Sequence, residues 1–235
     1  NIKNATNKLG IDLYTLVADW EEFKDMQIAF LKSSTTDAEV PTDYAIISVL
    51  LKVAAKEKIK YIIEGQASRA EGTTPLGWTY HDGKYLRSIQ RKFGKLKAKS
   101  FPILSLFHLL YYFFIRRVKL VRPLEYIDYS KQMAKEVNKS NLGWKDPGGH
   151  HHESVFTKFF QSYYLPNKFN IDKRKRECSA KIRSLEMTRE DALIEVSTSY
   201  PVEDGIVEYT IGKLGLTNHE FDEIMKAPIK SFLDY

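Results

Sequence analysis

The sequence predicts an α/β protein in which a parallel sheet carries helices and is followed by a mostly helical C-terminal part. Three observations predict it. Short β-branched and aromatic runs at residues 11–17 and at Tyr61, Ile62 and Ile63 are too brief for helices and read as buried strands. Between them lie two stretches of helical composition, giving the order strand, helix, helix, strand that argues for parallel pairing. The second strand opens into a glycine-bounded polar turn, residues 65–72, with Glu71 near its end. In open α/β sheets ligands bind at such carboxyl strand ends.

Taken in order, residues 1–9 read as the tail of a helix closed by Gly10. A helix leading directly into a strand has the look of an α/β repeat entered partway. Asp19 is placed to cap a helix over residues 20–32, with Phe23, Ile28, Phe30 and Leu31 as its apolar side. A polar stretch over 33–38 follows. Pro41, Thr42 and Asp43 then suit a helix start before the apolar run 44–58, and capping competes with a ligand role for Thr42 and Asp43.

Beyond Gly72 the pattern turns irregular. A basic helix is expected over 84–93, an aromatic helix over 104–117 and a third strand over 118–121. Phe107, Leu110, Tyr111 and Phe114 recur at helical spacing, which points to core or to a homodimer contact. Further helices are expected over 127–137, 155–164, after the basic run 168–176, then from Thr188, over 204–214 and from Thr217 to Met225.

The chain has 235 residues, 43% of them hydrophobic, enough to bury a core. No stretch approaches the roughly 18 uninterrupted apolar residues of a membrane span, since Pro102, Ser105 and His108 break the most apolar one. No signal-peptide pattern is visible, and the single cysteine, Cys178, excludes an internal disulfide framework and multi-cysteine metal sites. A reducing compartment, the cytoplasm, is the expectation. The net charge of +6 favours anionic partners without choosing among nucleic acid, phosphorylated metabolites and membrane surfaces.

Two further constellations carry chemistry. His150, His151 and His152 stand beside Glu153 after Gly148 and Gly149. Adjacent side chains do not converge on one metal, so hydrogen bonding to an anionic or polar ligand competes with a solvated loop. The run from Lys168 to Arg176 reads either as a solvated face or, because Phe169, Ile171 and Asp172 interrupt it, as a docked segment whose cations balance a triphosphate or pyrophosphate. Ser68, Ser154 and Cys178 have no readable triad partners, which argues against nucleophilic hydrolysis.

Taken together, residues 39–43, 65–72, 73–83, 148–159 and 165–175 resemble, in the same order, the N-acetyl sugar amidotransferases of bacterial surface-polysaccharide biosynthesis. These belong to the PP-loop ATP pyrophosphatase superfamily, and the O-antigen type is the most similar. The resemblance implies an adenine-nucleotide α-hydrolase-like parallel sheet and a domain division at 1–72, 73–165 and 166–235. It implies conversion of an acetamido group on a nucleotide-linked sugar to an acetamidino group, with ATP and Mg2+ required and ammonia supplied by a glutaminase partner. Gly65, Gln66, Ser68 and Glu71 then fit the nucleotide turn, which also looks like the Gly-x-x-x-x-x-Glu turn of ammonia-dependent NAD synthetases, with Glu71 a magnesium ligand.

By the same resemblance Thr42 and Asp43 border the cleft, Lys168, Lys173 and Arg174 meet phosphates, and His151, His152 and Glu153 face the sugar nucleotide. The family's Ser-Gly-Gly-x-Asp-Ser pyrophosphate loop and its zinc-like cysteine cluster are expected upstream of Asn1. Zinc therefore enters only through that cluster, and this chain without the loop is expected to have little pyrophosphatase activity. A PP-loop enzyme that modifies transfer RNA and a non-catalytic interaction module are the competing readings, with nucleic acid the less favoured partner.

Overall fold

The computed structural model describes residues 1–147 and 151–235. It is almost entirely helical, which overturns the extended parallel sheet expected from the sequence. Among the described residues the sheet consists of β1 (Tyr61–Ile63) and β2 (Lys119–Val121), parallel, with Tyr61 opposite Lys119 and Ile63 opposite Val121. Two of the three predicted strands therefore form. The run at residues 11–17 stays irregular, with Val17 86% exposed, and Tyr61 and Ile63 keep most of their surface in solvent. A parallel strand is stable when both faces are covered and its backbone is paired; here neither condition is met beyond three residues.

The helices follow local chemistry. α1 (Ile2–Leu9) ends at Gly10 in the left-handed region. α2 (Trp20–Ser33) starts at Asp19, whose carboxylate accepts from the Glu22 amide at 3.0 Å. α3 (Val40–Lys56) begins earlier than expected, because Glu39 rather than Asp43 is its flanking residue and Pro41 sits in its first turn. Thr42 and Asp43 are thus helical, not caps. A short α4 (Ser68–Glu71) and α5 (Gly83–Phe93) follow, the latter capped by Asp82.

α6 (Leu106–Leu110) widens into a π-type turn over Tyr111–Ile115. The expected helix over 127–137 is shorter, α7 (Lys131–Val137), set by its Ser130 cap. α8 (Val155–Phe159) runs on with π-type turns through Phe160–Phe169. α9 (Lys173–Arg183), α10 (Arg189–Ser197), α11 (Ile206–Leu214) and α12 (Asn218–Lys226) complete the chain, with Asp172, Thr188 and Thr217 as caps at the starts of α9, α10 and α12.

The core is aromatic and joins distant segments. Phe30 of α2 meets Tyr85 of α5 edge-on at 5.6 Å, and Phe159 of α8 meets Phe221 of α12 at 5.9 Å. Tyr164 is fully buried, and its hydroxyl donates to the Leu31 carbonyl at 3.2 Å. The polar stretch 33–38 is largely buried because the C-terminus closes over it. The Tyr235 hydroxyl donates to the Ser33 carbonyl at 2.7 Å and the Lys230 amide to the Ser34 carbonyl at 3.0 Å. Two carboxylates of α2 tie down the following basic loop: Asp25 accepts from the amides of Lys95 and Leu96, and Glu22 from those of Lys99, Ser100 and Phe101. By contrast Phe107 and Phe114 are 82% and 72% exposed, so the aromatic stripe of α6 is not core.

Candidate functional site

Where α3, α8 and α9 begin, carboxylates from the first helix meet cations and hydroxyls from the other two. The Asp37 carboxylate accepts from the Glu39 amide at 3.0 Å, fixing the turn into α3. Glu39 accepts from the Thr157 hydroxyl of α8 and pairs with the Lys173 ammonium of α9 at 3.5 Å. Lys173 also lies 5.1 Å from the centre of the Phe160 ring. One helical turn into α3, Asp43 stands 3.9 Å from His81.

Crowding by protein, then the charges of Asp37 and Glu39, push the Asp43 carboxyl up to about 7, against the pull of Lys173 and His151. Its side chain keeps 57% of its surface open, so water screens part of that push. Burial likewise raises Glu71, at the end of α4, opposed by His151, Lys131 and Arg176. His151 opposes the rise at both carboxyls. A carboxyl that titrates near neutrality next to a fixed ammonium can exchange a proton beside an anion held by that ammonium.

Of the residues singled out from the sequence, Lys173 and His151 act electrostatically on Asp43, and His151 acts on Glu71 as well. Others are engaged elsewhere. The Lys168 ammonium donates to the carbonyls of Ile224, Met225 and Ala227, closing the C-terminal end of α12. The Arg174 guanidinium grips Asp172, donates to the carbonyls of Glu195 and Thr198, and lies over Tyr200 at 4.9 Å. His152 is 3.1 Å from the Tyr200 hydroxyl, while Glu153 is 3.4 Å from His151. Thr42 is half-buried in α3, and Gly65 and Gln66 are exposed. Gly148, Gly149 and His150 lie outside the described residues.

In the turn after β1, Ser68 is engaged by a carboxylate. The Ser68 amide and hydroxyl both donate to the Glu125 carboxylate, at 2.8 and 2.6 Å. Arg122 pairs with Glu64 at 2.6 Å and Asp128 with Arg69 at 3.1 Å. Parallel register explains the match, since Ile63 opposite Val121 brings the segments that follow the two strands side by side.

Among the described residues no three His, Cys, Asp or Glu side chains are placed to hold a metal ion. Glu71 has both cations, Lys131 and Arg176, and another carboxylate, Glu177, acting on it. Asp37 escaped the sequence reading, and Glu39 and His81 lay within the motif stretches 39–43 and 73–83 without being given a role. Carboxylates two to four residues apart at a helix start look like caps, and only the partners across the cleft distinguish them.

Residues 153–235 match the family described as LPS biosynthesis protein WbpG-like, C-terminal domain. A C-terminal WbpG-like domain is therefore present, and Thr157 and Lys173 belong to it. No curated protein and no solved structure matches the chain. No helix among the described residues is long and apolar enough to cross a membrane.

Proposed function

We propose that the chain works in lipopolysaccharide biosynthesis as part of an ATP-dependent amidotransferase that converts the acetamido group of a nucleotide-linked sugar to an acetamidino group. Two things support the reading: the WbpG-like domain over 153–235 and the resemblance of the motifs in residues 39–83. The observation that carries it is the ion pair of Glu39 with Lys173, which brings the motif at the start of α3 against that domain and sets Asp43 beside it.

In this reading ATP supplies an AMP group to the acetamido oxygen and loses pyrophosphate. The chain's own residues then do the following. Lys173 holds phosphate oxygens, while His151 and Glu153 face the sugar. Asp43 as carboxylate takes the proton that nitrogen must shed when ammonia, delivered by a glutaminase partner, adds to the activated carbon. AMP leaves with the original oxygen. A carboxyl near pH 7 suits that transfer because it is half ionised where the reaction runs.

The test is ATP-dependent formation of the amidine from a nucleotide-linked N-acetyl sugar and ammonium, followed by mass spectrometry with release of AMP. Asp43→Asn is expected to lower kcat by roughly 10²-fold or more, and Lys173→Met to raise KM for the phosphorylated substrate. Absence of both product and sugar-nucleotide binding would overturn the reading.

A further inference from the structure

An apolar face lies bare on α6 and the π-type turn that prolongs it. Leu109 and Tyr112 pack against the core, whereas Leu106, Phe107, Leu110, Tyr111, Phe114 and Ile115 keep between 43% and 82% of their surface in solvent. Scattered exposed apolar residues are ordinary, but a contiguous group of this size marks an interaction site. Spacings of three and four put Phe107, Leu110, Tyr111 and Phe114 on one side of the helix.

A rim of cations follows at the C-terminal end of this face. Arg117, in the left-handed region, turns the chain toward β2, where the Lys119 amide donates to the Lys60 carbonyl at 2.7 Å. The Arg116 guanidinium donates to the Ala55 carbonyl, which brings the end of α3 and the turn after it to the same place. Lys58, Lys60, Arg117 and Lys119 are all exposed and pair with no carboxylate among the described residues. The carboxylates nearest to them in sequence, Glu57 and Glu64, are already matched by Lys56 and Arg122.

We propose that α6 and its π-type turn lie in the interface of an anionic phospholipid bilayer, with Phe107, Phe114 and Ile115 below the headgroups and Lys58, Lys60, Arg117 and Lys119 among the lipid phosphates. Apolar side chains along one side of a short helix with cations beside them are what an interfacial segment needs, and residues 106–115 are too few to span. Charge decides against the other occupants. A second copy docked on this face about a two-fold axis would bring the same unpaired cations to both sides of the contact, where like charges repel. Nucleic acid would meet the cations, but Leu106, Leu110 and Ile115 give its bases no ring to stack on. The amidotransferase reading gives none of these residues a part, so the two stand or fall separately.

The experiment is co-sedimentation of the full chain with vesicles of equal parts phosphatidylglycerol and phosphatidylcholine, against vesicles of phosphatidylcholine alone, with amide hydrogen exchange read over residues 106–115. Anionic vesicles are expected to bind at least roughly tenfold more tightly than neutral ones, to lose affinity as salt rises, and to slow exchange in that segment. Phe107→Ser combined with Phe114→Ser should weaken anionic-vesicle binding by at least roughly tenfold, through lost apolar burial. Lys60→Gln combined with Lys119→Gln should weaken it by roughly tenfold and leave binding to neutral vesicles unchanged. All four positions are exposed, so these variants are expected to keep the wild-type fold and each comparison reads binding alone.

Anionic-vesicle binding that is unchanged in the Phe107→Ser, Phe114→Ser variant overturns the proposal, since headgroup charge alone would then hold the chain. Equal binding to the two kinds of vesicle overturns the part given to the cations. A chain that ignores both vesicles overturns the proposal outright, and a dimer dissociated by the same double variant would then give the face to a second copy.

Discussion

At the scale of single residues, the cleft makes stability depend on pH with a definite sign. Asp43 has its folded pKa raised from the ordinary 3.8 to about 7. Below pH 3.8 both folded and unfolded chains hold that proton. Between 3.8 and 7 the unfolded chain releases it and the folded chain keeps it, so this group's contribution to stability falls as pH rises and levels off above 7. Glu71, also raised, acts in the same direction. His152 acts oppositely, because burial and then Lys158 lower its pKa, and the stability it allows is lost as pH falls below about 6.5. Urea titrations of wild type and Asp43→Asn at pH 4 and pH 7 are expected to show the variant gaining on wild type at the higher pH. An equal gap at both would show that Asp43 titrates normally. Lys168 carries a different prediction. Its three carbonyl partners at the end of α12 imply that Lys168→Met lowers stability by roughly 1–3 kcal/mol. Asp43, Glu71, Lys173 and His151 stood out in the sequence by motif; how they act on one another did not, because the ion pair of Glu39 with Lys173 spans 134 positions.

At the scale of elements, local signals were legible and pairing was not. Asp19, Asp172, Thr188 and Thr217 are caps in the structure because an N-cap needs only its own next three residues. β1 and β2 were legible as β-branched clusters, whereas residues 11–17, with the same composition, remain unpaired. Strand propensity describes a fit to a half-buried surface, and nothing in a strand's own sequence supplies its neighbour. Of the two readings of the stripe Phe107, Leu110, Tyr111 and Phe114, core does not hold, since helical spacing identifies a face and not what covers it. Phe107→Ser is accordingly expected to change stability by less than about 0.5 kcal/mol, while Phe159→Ala, at a fully buried position, costs roughly 3–5 kcal/mol. The turn after α4 gives a sharper test. Gly72 has φ +71, and a Cβ there would stand 3.0 Å from the Arg176 carbonyl. Gly72→Ala should therefore cost about 1–3 kcal/mol in chemical denaturation.

At the scale of the whole molecule, helices rather than a sheet unite the chain, and the segment matched to the WbpG-like domain supplies much of the shared core. Phe159, Phe160 and Tyr164 are fully buried or nearly so, in one cluster with Met26, Phe30 and Leu31 of α2 and with Leu86 and Ile89 of α5. Polar contacts follow the same seam: Tyr164 to the Leu31 carbonyl, Tyr235 to the Ser33 carbonyl, and Thr157 with Lys173 to Glu39. Cutting the chain before residue 153 would strip these aromatics of their covering, at a cost per large side chain of roughly 1.5–3 kcal/mol. That loss exceeds the few kcal/mol that so small a core can hold. An isolated segment of residues 153–235 is thus expected to keep helical circular dichroism but to unfold without a cooperative transition, with poor dispersion of its amide NMR signals. Adding residues 1–147 in trans should restore dispersion if the seam alone is responsible. A cooperative, well-dispersed 153–235 on its own would mean that its core closes internally and that Phe30 and Leu31 merely rest against it.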